Sequence, residues 1–121
     1  MQWFVRCCVV LALMGCHGHR ASKDAVAAAD LLTRQHAARS VRASVAGADC
    51  RVLLIRLDRA FDDDVVQSIH YGTGDYGAFG GVEQLARDRG FRAVVYENSE
   101  GELRTYGATT RDEARSMPRC R

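Results

Sequence analysis

The spacing of apolar residues divides the chain into a short apolar leader, an alanine-rich stretch and a body of short strands and helices. Residues 7–15 are continuously apolar, with Arg6 just before them and the polar His17, Gly18, His19 and Arg20 soon after. From Ser22 the pattern becomes helical. Ser22 suits an N-cap, Asp24 suits the positive end of the helix dipole, and alanine dominates as far as Ala38. Beyond Ser40 the apolar positions alternate, with Val41, Ala43 and Val45 on one side, so the helix ends there or gives way to extended chain. Gly47, Ala48 and Asp49 mark a break.

Residues 50–57 carry the strongest strand pattern, a nearly continuous apolar run of the kind covered on both faces. Asp62, Asp63 and Asp64 read as the acidic start of a helix that turns Val65, Val66 and Ile69 inward and stops near Gly72. Residues 72–81 form a glycine-rich loop, and residues 82–89 a second short helix that ends at Gly90. Residues 91–97 and 103–106 predict two strands, joined through Asn98, Ser99, Glu100 and Gly101 into an antiparallel hairpin. Thr110 and Glu113 have capping-box spacing, so a last helix runs to about Met117, before Pro118. The expected fold is a small α+β domain: a three-stranded sheet containing the hairpin, helices packed on one face, and an alanine-rich helix in front. The pattern leaves the strand order open.

The leader changes the picture most. Nine apolar residues match the core of a signal peptide, whereas crossing about 30 Å of hydrocarbon takes roughly twenty. The run ends in Leu13, Met14, Gly15 and Cys16. That tetrapeptide resembles the lipobox of bacterial lipoproteins, in which signal peptidase II cuts before a lipidated cysteine. The resemblance implies acyl chains on Cys16 and a protein tethered to the cell envelope. Cleavage after Gly18 in an ordinary secreted protein is the competing account. In such families an aspartate after the cysteine retains the protein at the inner membrane; His17 stands there instead, which points to the outer membrane, facing the periplasm. The expected organisation is a signal peptide over 1–15, a lipid-anchored tether over 16–21, a helical stem over 22–46 and the domain over 47–121.

Charge and cysteine content narrow the function classes. The 121 residues carry a net charge of +2, with no concentrated basic face of the kind nucleic acid requires. A body of about 75 residues gains little margin from burial alone and benefits from a covalent staple. Cys7 and Cys8 leave with the leader and lipid consumes Cys16, so Cys50 and Cys120 remain. In an oxidising compartment such a pair is expected to form a disulfide across the whole domain.

Candidate chemistry centres on the loop. Five glycines between positions 72 and 81 cost backbone entropy, which implies positive dihedrals or close approach of backbone to another group. Asp75, Tyr76 and Phe79 are the candidate partner-binding residues, as rigid aromatic anchors suit binding hot spots. The competing account folds Tyr71 and Phe79 onto the core. Gly72, Thr73 and Gly74 do not open a P-loop, because the Gly-Lys-Ser/Thr ending is missing. His70 and Asp75 offer an alternative catalytic pair for a small hydrolase, a histidine oriented by a carboxylate. No serine or cysteine nucleophile stands in a recognisable setting, so His70 as the cap of its helix competes with that reading.

His17 and His19 beside Cys16 lack a third metal ligand, and Asp62 to Asp64 lack the alternate ligands of a calcium loop. No metal site and no cofactor are expected. The leading expectation is a lipid-anchored, periplasm-facing binding or accessory module of the inhibitor, immunity or secretion-accessory type, meeting an envelope protein or the cell wall. The alternatives are the small periplasmic hydrolase and a purely structural envelope lipoprotein.

Overall fold

Side-chain caps open three of the four α-helices among the described residues. A computed structural model of the chain describes residues 20–36 and 40–121, apart from the side chains of Ala78 and Phe79. The leader, Cys16, His17 and His19 therefore lie outside the described residues. Ser22 accepts the Ala25 amide and opens helix α1 (Lys23–Gln35). Asp62 accepts the Asp64 amide at the start of α2 (Asp63–Tyr71), which ends at Gly72 with φ of 68°. A 3-10 helix (Gly74–Phe79) leads into α3 (Val82–Asp88). Thr110 accepts the Glu113 amide and opens α4 (Arg111–Arg115). The Glu113 carboxylate takes the Thr109 hydroxyl at 3.1 Å, a variation on the expected reciprocal box.

Four strands, not three, make a mixed sheet: β1 (Val41–Ala46), β2 (Val52–Leu57), β3 (Ala93–Glu97) and β4 (Leu103–Gly107), in spatial order β1-β2-β3-β4. The β1–β2 and β3–β4 pairs are antiparallel. β2 and β3 are parallel, in register Val52↔Ala93 to Arg56↔Glu97, so α2, the 3-10 helix and α3 form the crossover between them.

Both faces of the sheet are covered, which is why β2 and β3 read as continuous apolar runs. On one face Val41, Val45, Leu53, Ile55, Val94 and Tyr96 pack with Ala25, Ala28, Ala29 and Leu32 of α1, Val66 and Ile69 of α2, and Val82 and Ala86 of α3. On the other, Ala46, Val52, Leu54, Ala93 and Val95 meet Ala114 and Met117 of the C-terminal segment. Helices on one face alone were expected; α4 and the residues after it make the second layer.

Residues 22–36 and 40–46 are part of this body and do not form a stem. Alanine at the buried positions of α1 lets the helix approach closely. Its Thr33 hydroxyl accepts the Ala43 amide at 2.9 Å and shares its proton between the carbonyls of Ala29 and Ala43. Further along β1, Cys120 donates its amide to the Val45 carbonyl and Gly47 donates to Pro118. Helix and tail together cover an edge that would otherwise be open to pairing. The Cys50–Cys120 disulfide fixes this tail, closing a sequence separation of 70 residues.

Candidate binding cleft around His70

The glycine-rich loop builds this region by bringing its own ends together. A Cβ on Gly81 would lie 2.7 Å from the His70 carbonyl oxygen and 2.7 Å from the Tyr71 carbonyl carbon. Gly72 and Gly81 therefore meet backbone to backbone, and the close approach foreseen from glycine content is the loop meeting itself. This closure sets the start of α3 beside the end of α2 and brings Glu83 towards His70.

His70 is 3% exposed. Its Nδ1 lies 2.9 Å from the Tyr96 hydroxyl, and its ring stacks on Tyr106 with centroids 3.8 Å apart and planes at 20°. Tyr71 approaches edge-on at 4.9 Å, and Nε2 faces Glu83 Oε2 at 3.9 Å. Burial pushes the Tyr96 hydroxyl well above the usual tyrosine range, with Tyr106, Tyr71 and Glu83 adding to the shift. The phenol keeps its proton and can donate to Nδ1 or accept from it, so the direction of this bond follows the tautomer of the ring. Burial also lowers the His70 pKa, and Glu83 offsets part of that shift. Tyr106 is raised by burial and by Tyr71, with Arg104 opposing.

The chemistry of this set is positional. The hydroxyl bonded to His70 belongs to Tyr96, which is fully buried and holds its proton, and is no nucleophile at neutral pH. The acidic neighbour of His70 is Glu83, not Asp75, which stands exposed on the 3-10 helix. A cleft and a shifted histidine are what the hydrolase reading asks for, but the expected His70–Asp75 pair is not formed. Among the described residues no group of three or more histidine, cysteine or acidic side chains is placed to hold a metal ion.

The aromatic residues change places relative to expectation. Tyr76, expected as an exposed anchor, is 8% exposed and joins the core, with its ring centroid 5.8 Å from that of His36. Tyr71, expected in the core, is 55% exposed and is the large hydrophobic side chain left exposed among the described residues. The Phe79 side chain lies outside the described residues. Tyr71 borders a cleft of about 330 Å³ whose lining includes His70, Glu83, Arg87, Phe91 and Tyr106. Arg87 is tied to Glu83 at 2.6 Å across one helical turn.

Sequence reasoning missed Glu83, Tyr96 and Tyr106. The tyrosines had a signal: a hairpin turning at residues 98–101 places 94 and 96 on the same face as 104 and 106, as the register confirms. Glu83 had none, since its approach depends on loop closure. Comparison of the chain with protein-family models, with curated proteins and with solved structures finds no match.

Proposed function

We propose that this protein is a lipid-anchored binding module of the bacterial cell envelope, tethered through Cys16 to the outer membrane and facing the periplasm. Residues 13–16 support the anchor through their likeness to a lipobox. The Cys50–Cys120 pairing supports an oxidising compartment, since thiols in a reducing one stay apart. With α1 packed into the body, the tether is only the segment from Cys16 to the Ser22 cap. Six peptide steps of at most 3.6 Å reach roughly 20 Å. The domain therefore works close to the lipid surface.

The observation that carries the binding role is Tyr71, an exposed ring on the rim of a cleft. Its neighbours Tyr106, Glu83 and Arg87 offer one aromatic wall and two opposite charges. Such a rigid ring beside polar groups is a hot-spot arrangement for a protein or cell-wall partner. Metabolic palmitate labelling tests the anchor: the wild-type chain takes up label and fractionates with membranes, and Cys16→Ser loses both properties. A bare Cys16 on a soluble intracellular product that keeps its leader would sink the proposal. A photo-crosslinker at position 71 tests the surface. It should yield a discrete adduct in intact cells, whereas one at exposed Gln67 should not.

A further inference from the structure

The tether joins the body at one end of the sheet, and that end is basic. The Ala21 amide donates to the Arg121 carbonyl at 2.9 Å, so the start of the body lies against the tail. Arg119 bridges Ala46 at the end of β1, and the disulfide sets Cys120 beside Cys50, the neighbour of Arg51. The Arg92 amide donates to the Arg51 carbonyl at 2.8 Å, and a Cβ on Gly90 would lie 3.4 Å from Arg51 Nη1, which brings Arg89 to the same end. The carboxyl end of β1 and the amino ends of β2 and β3 meet here.

Arg20, Arg51, Arg89, Arg119 and Arg121 are exposed and form no ion pair among the described residues. The acids nearby offset them little. Asp49 is held by Arg92 at 2.8 Å, Asp88 accepts the Gln84 side-chain amide at 2.8 Å, and Asp24 stands next to Lys23 in α1. The opposite end is acidic: Asp58, Asp62, Asp64, Glu100 and Glu102 stand there beyond the acids paired with Arg56 and Arg104, and they outnumber Arg42 and Arg59. No basic run in the sequence announces this polarity; the fold collects arginines from distant parts of the chain.

The tether selects what the basic end meets. Cys16 stands within roughly 20 Å of the Ser22 cap. Once its acyl chains enter a bilayer, the end around Ala21 is the part of the body held nearest the headgroups. Anionic lipids attract basic residues over about one Debye length, near 8 Å at physiological salt. The planar guanidinium fork also matches phosphate oxygens. A net charge of +2 would not orient the domain by itself, whereas its separation into a basic and an acidic end does.

We propose that this end lies on the bilayer as a second contact beside the acyl chains, with Arg20, Arg51, Arg119 and Arg121 against anionic phospholipid headgroups. The proposal rests on the anchor at Cys16 and not on the Tyr71 surface. The Tyr71 cleft shares Arg92 with this end, so a partner seated there also sits near the lipid.

The test places the full chain, ¹⁵N-labelled and purified from membranes as expressed, on nanodiscs of phosphatidylcholine with or without phosphatidylglycerol. A trace of gadolinium-chelating lipid in each broadens the amides that face the headgroups. With phosphatidylglycerol present, the amides of Arg51, Gly90 and Arg119 should broaden severalfold more than those of Asp63 and Glu100, and high salt should remove the difference. Arg51→Gln with Arg119→Gln, each neutralising a contact worth about fivefold at an anionic surface, should bring the ratio to its value on phosphatidylcholine alone. Arg111→Gln with Arg115→Gln removes the same charge beside Glu100 and Glu102 and should leave the ratio unchanged. Intact mass of the same sample reads the acyl chains separately, so a missing anchor is distinguished from a failed surface, which the two lipid compositions still compare. Equal broadening of both ends, or the same preference without phosphatidylglycerol, would overturn the proposal. So would saturable movement of these amides by free inorganic phosphate, or their protection by a second copy of the chain before lipid is added.

Discussion

Tyr71 and Tyr76 stand five positions apart on either side of a helix end, and residue type does not distinguish them. Tyr71 is the last residue of α2 and projects from the face turned away from Ile69 and Val66, whereas the 3-10 helix folds Tyr76 back against α1. Tyr76→Ala should therefore cost about 3–5 kcal/mol of unfolding free energy, as for other large core aromatics. Tyr71→Ala should stay within about 0.5 kcal/mol, as at an ordinary surface position. Urea denaturation compares the two, and the opposite order would exchange their assigned places.

His70 makes a pH prediction. Its folded-state pKa is depressed, chiefly by burial. Above the unfolded value near 6.5 both states are neutral and the contribution to stability is complete. As pH falls through 6.5 the unfolded chain takes up the proton first, so stability declines. Urea midpoints at pH 7.5 and 5.0 should show a smaller drop for His70→Gln than for wild type. An equal drop would place the titration elsewhere.

At the scale of elements, the glycine loop is a closure whose glycines act for different reasons. Gly81 has an ordinary negative φ of −88°, and the constraint there is steric, since its Cβ would strike the backbone of α2. Gly74 sits in open space but has φ of 57°. Gly81→Ala should thus be the more damaging, shifting α3 and weakening the Glu83 approach to His70. Gly74→Ala should cost about 1–2 kcal/mol, the usual penalty for a side chain in the left-handed region. Thermal melts read the ranking, and the His70 ring resonances should move in the Gly81 variant alone. The need for a close approach was legible in the glycine count; what approached what was not, because the partner of Gly72 lies nine residues away. The same limit explains β1. Its alternation of Val41, Ala43 and Val45 was visible, but β2 as its neighbour was set by pairing across the break at Gly47.

For the whole molecule, the disulfide is the largest single constraint. On the chain-entropy model, closing a separation of 70 residues stabilises by about 4 kcal/mol. Cys50→Ser with Cys120→Ser should lower stability by about that amount and free the tail from β1, read as faster amide exchange at Cys120 and Gly47. A loss below about 1 kcal/mol would show that the tail holds its place without the bond.

The amino-acid sequence by itself determined the type and approximate extent of most elements, because helix caps, turn residues and apolar period act over a few residues. It also pointed to the pairing of Cys50 with Cys120, which the structure contains. Tertiary structure decided the fourth strand, the incorporation of the alanine-rich helix, the burial of Tyr76, the exposure of Tyr71 and the choice of Glu83 as the acidic neighbour of His70. Each of these depends on which surface lies opposite a residue, and that surface comes from a distant part of the chain. Periodicity shows that a face is apolar, while only packing shows what covers it.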